Sequence, residues 1–248
     1  MRPARAWFEI ALCPPGVAVR IAIERFDPGV DREPYWEFYE VALHSRQTIL
    51  EALLAIGDTL DPTLAFRRSC RSGICGACGA LVNGRLQLMC QTLAGEITPV
   101  QRELIQDADV VLRPLPNFRV LKDLVVDMEP FLDALRRASV WTVPNPAYQG
   151  TIPREQFQRL WGTAACILCG LCATISVGDS ALTPASIIKV LRIAHDPRDA
   201  RGLARLNILS RGTHVNRQFV EELKAICPKR VDAGSLLEVL ADHTGLER

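Results

Sequence analysis

Arg67-Arg68-Ser69-Cys70-Arg71-Ser72-Gly73-Ile74-Cys75-Gly76-Ala77-Cys78-Gly79, followed by Cys90, is the stretch on which the reading of this chain turns. Its spacing, C-x4-C-x2-C-x11-C, is the plant-type pattern for a [2Fe–2S] cluster, where four soft thiolates match an iron–sulfide core. Gly73, Gly76 and Gly79 let the backbone bend closely around such a cluster and aim N–H groups at its sulfurs. Those hydrogen bonds, with Arg67, Arg68 and Arg71 nearby, would raise a cluster's reduction potential. A run of arginines reads equally well as a solvated surface. Zinc is the competing use of four cysteines, but zinc ribbons favour paired C-x2-C knuckles, and this spacing does not match them.

Outward from this loop, the 248 residues hold nine cysteines and only four histidines. The first sixteen residues, MRPARAWFEIALCPPG, contain an apolar stretch too short and too charged for a secretory signal. Nine cysteines in an unsecreted chain point to metal binding rather than disulfides. The second group is Cys166-Ile167-Leu168-Cys169-Gly170-Leu171-Cys172, with Cys227-Pro228 far downstream. It begins like the bacterial run C-x2-C-x2-C-x3-C-P, whose fourth cysteine serves another cluster. Here that fourth position is Ser176 and the proline is Val177. Cys227 completes a four-thiolate set with Cys166, Cys169 and Cys172, best suited to [4Fe–4S]. Cys13 belongs to neither set and reads as a small buried apolar residue.

Hydrophobic residues are 48% and charged residues 23%, a globular balance, and the net charge of +1 gives no reason to expect nucleic acid. Residues 7–12, 17–26, 35–43 and 110–113 are predicted strands, and 79–90 a hairpin turning at Asn83-Gly84. Residues 48–56 are predicted as a helix with Gly57 near its end, and 66–79 as a loop. Together they make a small α+β domain. Residues 120–138 read as helical with a break near Pro130, and 139–152 as an extended connector. Helices are expected at 153–161, 184–195, 199–210, 216–226 and 234–242. The uncharged stretch 160–178 is long enough to raise a membrane-spanning reading. Its cysteines, glycines and hydroxyl residues argue instead for an apolar shell around a buried cluster.

The chain resembles the iron–sulfur subunit of succinate dehydrogenase and fumarate reductase, respiratory complex II, over about residues 17–240. The marks are Asp61-Pro62-Thr63-Leu64-Ala65-Phe66 running into the first cysteine loop, Pro114-Leu115-Pro116-Asn117-Phe118, Lys122-Asp123-Leu124-Val125-Val126-Asp127, Cys166–Cys172, and Cys227-Pro228-Lys229. The resemblance implies an N-terminal β-grasp ferredoxin domain (1–118), a linker or connecting helix (119–152) and a C-terminal all-α, bacterial-ferredoxin-like domain (153–248). It implies a flavoprotein partner holding the FAD, and a membrane-anchor subunit with the quinone site. This chain would relay electrons between them from the cytoplasmic face of the membrane, doing no bond chemistry on the dicarboxylate. A relay for a different flavoprotein is the alternative.

The sequence departs from that family in one respect. Three clusters, [2Fe–2S], [4Fe–4S] and [3Fe–4S], need eleven cysteines, and this chain has nine. The [3Fe–4S] ligands would fall at Ser176 and near Arg217 and Leu223, and no cysteine lies between 173 and 226. Where the family places a proline and tryptophans beside the quinone, this chain has Val177-Gly178-Asp179-Ser180-Ala181. The expectation is that [3Fe–4S] is absent and that a haem or another iron–sulfur cluster in the anchor subunit replaces it. The alternative is a third cluster on unusual ligands such as Ser176, His195 or His214.

Overall fold

Residues 16–96, 105, 108–177, 182–209, 215–232 and 234 are described by the structure, a computed structural model. The predicted strand 7–12, Cys13, His214 and all but the first residue of the predicted helix 234–242 lie outside them.

Strand β1 (Val17–Arg25) pairs antiparallel along its full length with β2 (Tyr35–Leu43), from Val17 opposite Leu43 to Arg25 opposite Tyr35. Its alternation sends Ile21 and Ile23 into the main core and Ala22 to the other face, against Val111. Helix α1 (Ile49–Thr59) starts at a capping box, in which Thr48 and Glu51 satisfy each other's backbone amides, and runs past Gly57. It buries Ile49, Leu50, Leu53 and Ile56 in the same core. Strands β3 (Gly79–Val82) and β4 (Arg85–Leu88) form the expected hairpin. Asn83 and Gly84 turn it with φ of 47° and 74°, the left-handed pair that a two-residue turn requires. Strand β5 (Val110–Arg113) lies parallel to β1 and antiparallel to β3, giving a mixed sheet in the order β2-β1-β5-β3-β4. The loop expected at 66–79 runs from α1 to β3, so the sheet and α1 hold both its ends.

Residues 120–128 are not helical. Strands β6 (Val120–Lys122) and β7 (Val125–Val126) form a small hairpin about Asp123, whose φ is 47°. The reason is tertiary. Asp123 is 2% exposed, and its carboxylate accepts from Arg25 Nε at 3.0 Å, Phe26 N at 3.1 Å and Ala65 N at 2.8 Å. A helix could not present that carboxylate and also pair Val120 with Val126. Pro130 breaks nothing: it stands in the first turn of helix α2 (Glu129–Arg137), where its missing N–H costs no hydrogen bond.

The remaining helices are α3 (Arg154–Ala164), α4 (Pro184–Ala194) and α5 (Arg217–Ile226), the last capped by the Asn216 side chain on Phe219 N. The helix expected at 199–210 is a 3-10 segment, Gly202–Ile208. Its cause is local pinning: Asp199 Oδ2 accepts from Gly202 N and from Arg205 Nε, tightening the turn. Arg205 also donates to the carbonyls of Ser139 and Trp141, fastening the helix-free segment 139–152 to the helical half. The uncharged stretch 160–178 is broken after α3 by a loop and the short 3-10 turn Leu171–Thr174. Among the described residues no helix is long and apolar enough to cross a membrane. The result is an α+β molecule with one core under the sheet and a second among the helices.

Candidate iron–sulfur sites

Cys70, Cys75 and Cys78 stand on the loop entering β3, and Cys90 follows β4, so the hairpin returns Cys90 to the loop. Arg71, Gly73 and Gly76 all have positive φ and fold the loop around the Cys70 sulfur. That sulfur receives the amides of Ser72 at 3.4 Å, Ile74 at 3.3 Å and Cys75 at 3.2 Å. The Ser72 amide, with those of Cys75 and Ile74, pulls the Cys70 thiol down to about 6, so the loop is built to hold a thiolate there. The Cys75 sulfur receives the Ala77 amide at 3.5 Å. Cys78 and Cys90 are buried side by side, and burial pushes the Cys78 thiol up to about 12. As thiolates, this pair would need a neutralising metal, which an iron core would supply. Two of the three arginines have other work. Arg67 donates to the Val126 carbonyl at 2.8 Å, and Arg68 lies over the Phe66 ring. Arg71 is exposed.

The second set lies where the two cores meet. Cys169 packs against the sheet core, and Cys166, Cys172 and Cys227 against the helical core. All four, each half-buried, line one apolar cavity together with Leu168, Ile188, Leu223 and Val231. Burial raises the Cys166 and Cys172 thiols and pushes Cys169 up to about 11, with the neighbouring sulfurs acting in the same direction. Cys227 reaches the cavity as the C-cap of α5, donating its amide to the Leu223 carbonyl at 2.9 Å. Among the described residues no three Cys, His, Asp or Glu side chains converge as the ligands of a single ion would. Four thiols around one apolar cavity fit a multi-iron core that brings its own sulfides.

The two sets touch. A Cβ on Gly76 (φ +72°) would lie 2.8 Å from Cys169 Cα and 3.1 Å from Cys169 N, and one on Gly79 would lie 3.3 Å from the Cys169 carbonyl oxygen. The sequence assigns these glycines to bending around the first cluster. That they also admit the second cysteine loop has no signal in one-dimensional spacing. Gly76→Ala should therefore disturb both centres: iron per chain should fall well below wild type, with broadened signals from both clusters in EPR. Full loading with unaltered spectra would show that the contact yields freely.

Neither Ser176 nor His195 is among the residues lining the four-cysteine cavity. Ser176 is exposed after the Leu171–Thr174 turn. His195 is the C-cap of α4 and lines a pocket with Pro153, Glu155 and Gln156 that contains no cysteine.

Comparison with known proteins agrees with this geometry. Residues 20–133 match the model of a 2Fe-2S iron-sulfur cluster binding domain. The chain is 32% identical over 229 residues to a fumarate reductase iron-sulfur subunit of Escherichia coli, covering 89% of this chain and 90% of that one. It is 31% identical over 233 residues to the mitochondrial succinate dehydrogenase [ubiquinone] iron-sulfur subunit of Dictyostelium discoideum, covering 87% and 79%. Its fold matches a chain of the Mycobacterium smegmatis Sdh1 complex with a TM-score of 0.75 at 23% identity, over 93% of this chain and 98% of that one. Fold and cysteine sets thus define an iron–sulfur protein of electron transport. The chain belongs to the family of iron–sulfur subunits of fumarate reductase and succinate dehydrogenase, and so is one subunit of an oxidoreductase complex.

Proposed function

We propose that this chain relays single electrons from the FAD of a flavoprotein subunit toward a quinone site in a membrane-anchor subunit. Cys70, Cys75, Cys78 and Cys90 hold [2Fe–2S], and Cys166, Cys169, Cys172 and Cys227 hold [4Fe–4S]. Bound clusters supply one-electron chemistry, which divides the two-electron exchange between flavin and dicarboxylate into single transfers. The chain's own part is ligation, shielding and spacing. Amides stabilise negative charge on Cys70, the apolar cavity excludes water from the second set, and two glycines bring the sets together. The contact of Gly76 with Cys169 is the observation that carries this reading, since tunnelling falls steeply with distance.

The residues divide into a β-grasp ferredoxin domain (1–118), a connecting segment (119–152) and a helical ferredoxin-like domain (153–248). A [3Fe–4S] centre is absent from this chain, and a centre in the anchor subunit takes its place. In support, Leu223 is 2% exposed within the helical core, Arg217 is exposed on the first turn of α5, and Ser176 is exposed. The chain sits peripherally on the cytoplasmic face of the membrane.

The test is a count of iron and acid-labile sulfide on anaerobically purified protein, with EPR in both redox states. The proposal expects about six irons and no [3Fe–4S] signal on oxidation. About nine irons with that signal would overturn it. Succinate-dependent quinone reduction by the co-purified complex separates this reading from service to another flavoprotein.

A further inference from the structure

Among the described helices α4 is the most deeply buried: Pro184–Ile188, Val190, Leu191, Ile193 and Ala194 are all buried. A lysine in such a run is unusual, because lysine is rarely buried without a partner. Lys189 is half-buried, and its Nζ donates to the Cys166 carbonyl at 3.0 Å. Among the described residues no carboxylate pairs with it. From there the ammonium opposes the effect of burial on the Cys166 thiol. The neighbouring Ala185 and Ile188 line the four-cysteine cavity, so the charge stands at the cavity's edge. The lining itself contains one further cation, Lys229.

We propose that Lys189 raises the reduction potential of the centre held by Cys166, Cys169, Cys172 and Cys227, an inference that rests on the ligand assignment above. An oxidised cubane with four thiolates carries two negative charges and gains a third on accepting one electron. No bond breaks and no proton moves. An apolar cavity opposes that added charge, and a nearby fixed cation favours it. In a chain whose cysteines provide for two centres, this one is the last that the subunit holds. A higher potential makes the electron's arrival from [2Fe–2S] less unfavourable.

The experiment is an EPR redox titration of the anaerobically purified holo complex carrying Lys189→Met, Lys189→Arg or Lys229→Met. With Lys189→Met, the ratio of reduced to oxidised [4Fe–4S] at fixed potential should fall about tenfold, a shift of about 59 mV for one electron. Lys189→Arg should stay near wild type, Lys229→Met should shift less, and the [2Fe–2S] midpoint should not move in any of them. A fully loaded Lys189→Met with an unmoved midpoint overturns the proposal, as does an equal shift of both centres. If Lys189→Met does not keep its iron, Lys189→Gln, which retains an N–H donor without the charge, is titrated instead. Loss of the cluster from both variants assigns Lys189 to holding the site and also overturns the proposal. Wild-type protein with no iron at this site would instead remove the ligand assignment.

Discussion

Cys227→Ala should lower the iron content from about six atoms per chain to about two, leaving the [2Fe–2S] signal in place. The other three thiols of its set come from one short stretch, whereas Cys227 arrives from the end of α5. Without it, a cubane has an open iron in an apolar cavity. Ser176, the nearest sequence substitute, is exposed on another segment. Electron delivery to quinone should stop, because the remaining centre lies one relay step further from the membrane. Reduction of the flavin by succinate in the same complex should persist, which distinguishes a broken relay from a misfolded assembly. Cys227→Ser should retain some iron, since an alkoxide is a poorer but usable ligand. Six irons in Cys227→Ala would mean that the set is closed by some other group.

Arg25→Met should destabilise the protein by about 3–5 kcal/mol, because it strands the buried Asp123 and the half-buried Asp61 without their cation. Arg25, at the end of β1, is 4% exposed. Its guanidinium donates to Asp123, Asp61, Glu37, the Tyr39 hydroxyl and Thr63. Burial alone would raise the Asp61 carboxyl, but hydrogen bonds from Thr63, Tyr39 and Arg25 outweigh it and hold the group well below the usual range. The thermal midpoint should fall by on the order of 10 °C for a chain of this size. Since Asp61 and Asp123 anchor the segment leading into Cys70, the [2Fe–2S] centre should load less completely than the [4Fe–4S] centre. Adding Asp123→Asn should recover part of the loss, by removing one of the stranded charges. A midpoint within a degree or two of wild type would show that water reaches these carboxylates.

This network explains two sequence marks that had no physical account in one dimension. Asp61 and Thr63 of Asp-Pro-Thr-Leu, and Asp123 of Lys-Asp-Leu-Val-Val, converge on one arginine whose partners span about a hundred residues of chain. It also explains the misreading of residues 120–128. Their apolar spacing suits a helix as well as a hairpin, and the buried Asp123 decides for the hairpin.

Local chemistry was legible from the residues alone. Thiolate spacing, the Asn83-Gly84 turn and the alternation of β1 all act over a few residues, where sequence distance and spatial distance nearly coincide. They were enough to propose two four-cysteine sets and to place the sheet half and most of the helices, while the family came from the resemblance of the longer marks. Tertiary structure alone decided the contact of Gly76 with Cys169, the position of Lys189 beside Cys166, the convergence on Arg25 and the 3-10 turn held by Asp199 and Arg205. Each of these joins segments far apart in the chain, and its energy comes from burial and charge pairing that exist only once the two cores have packed.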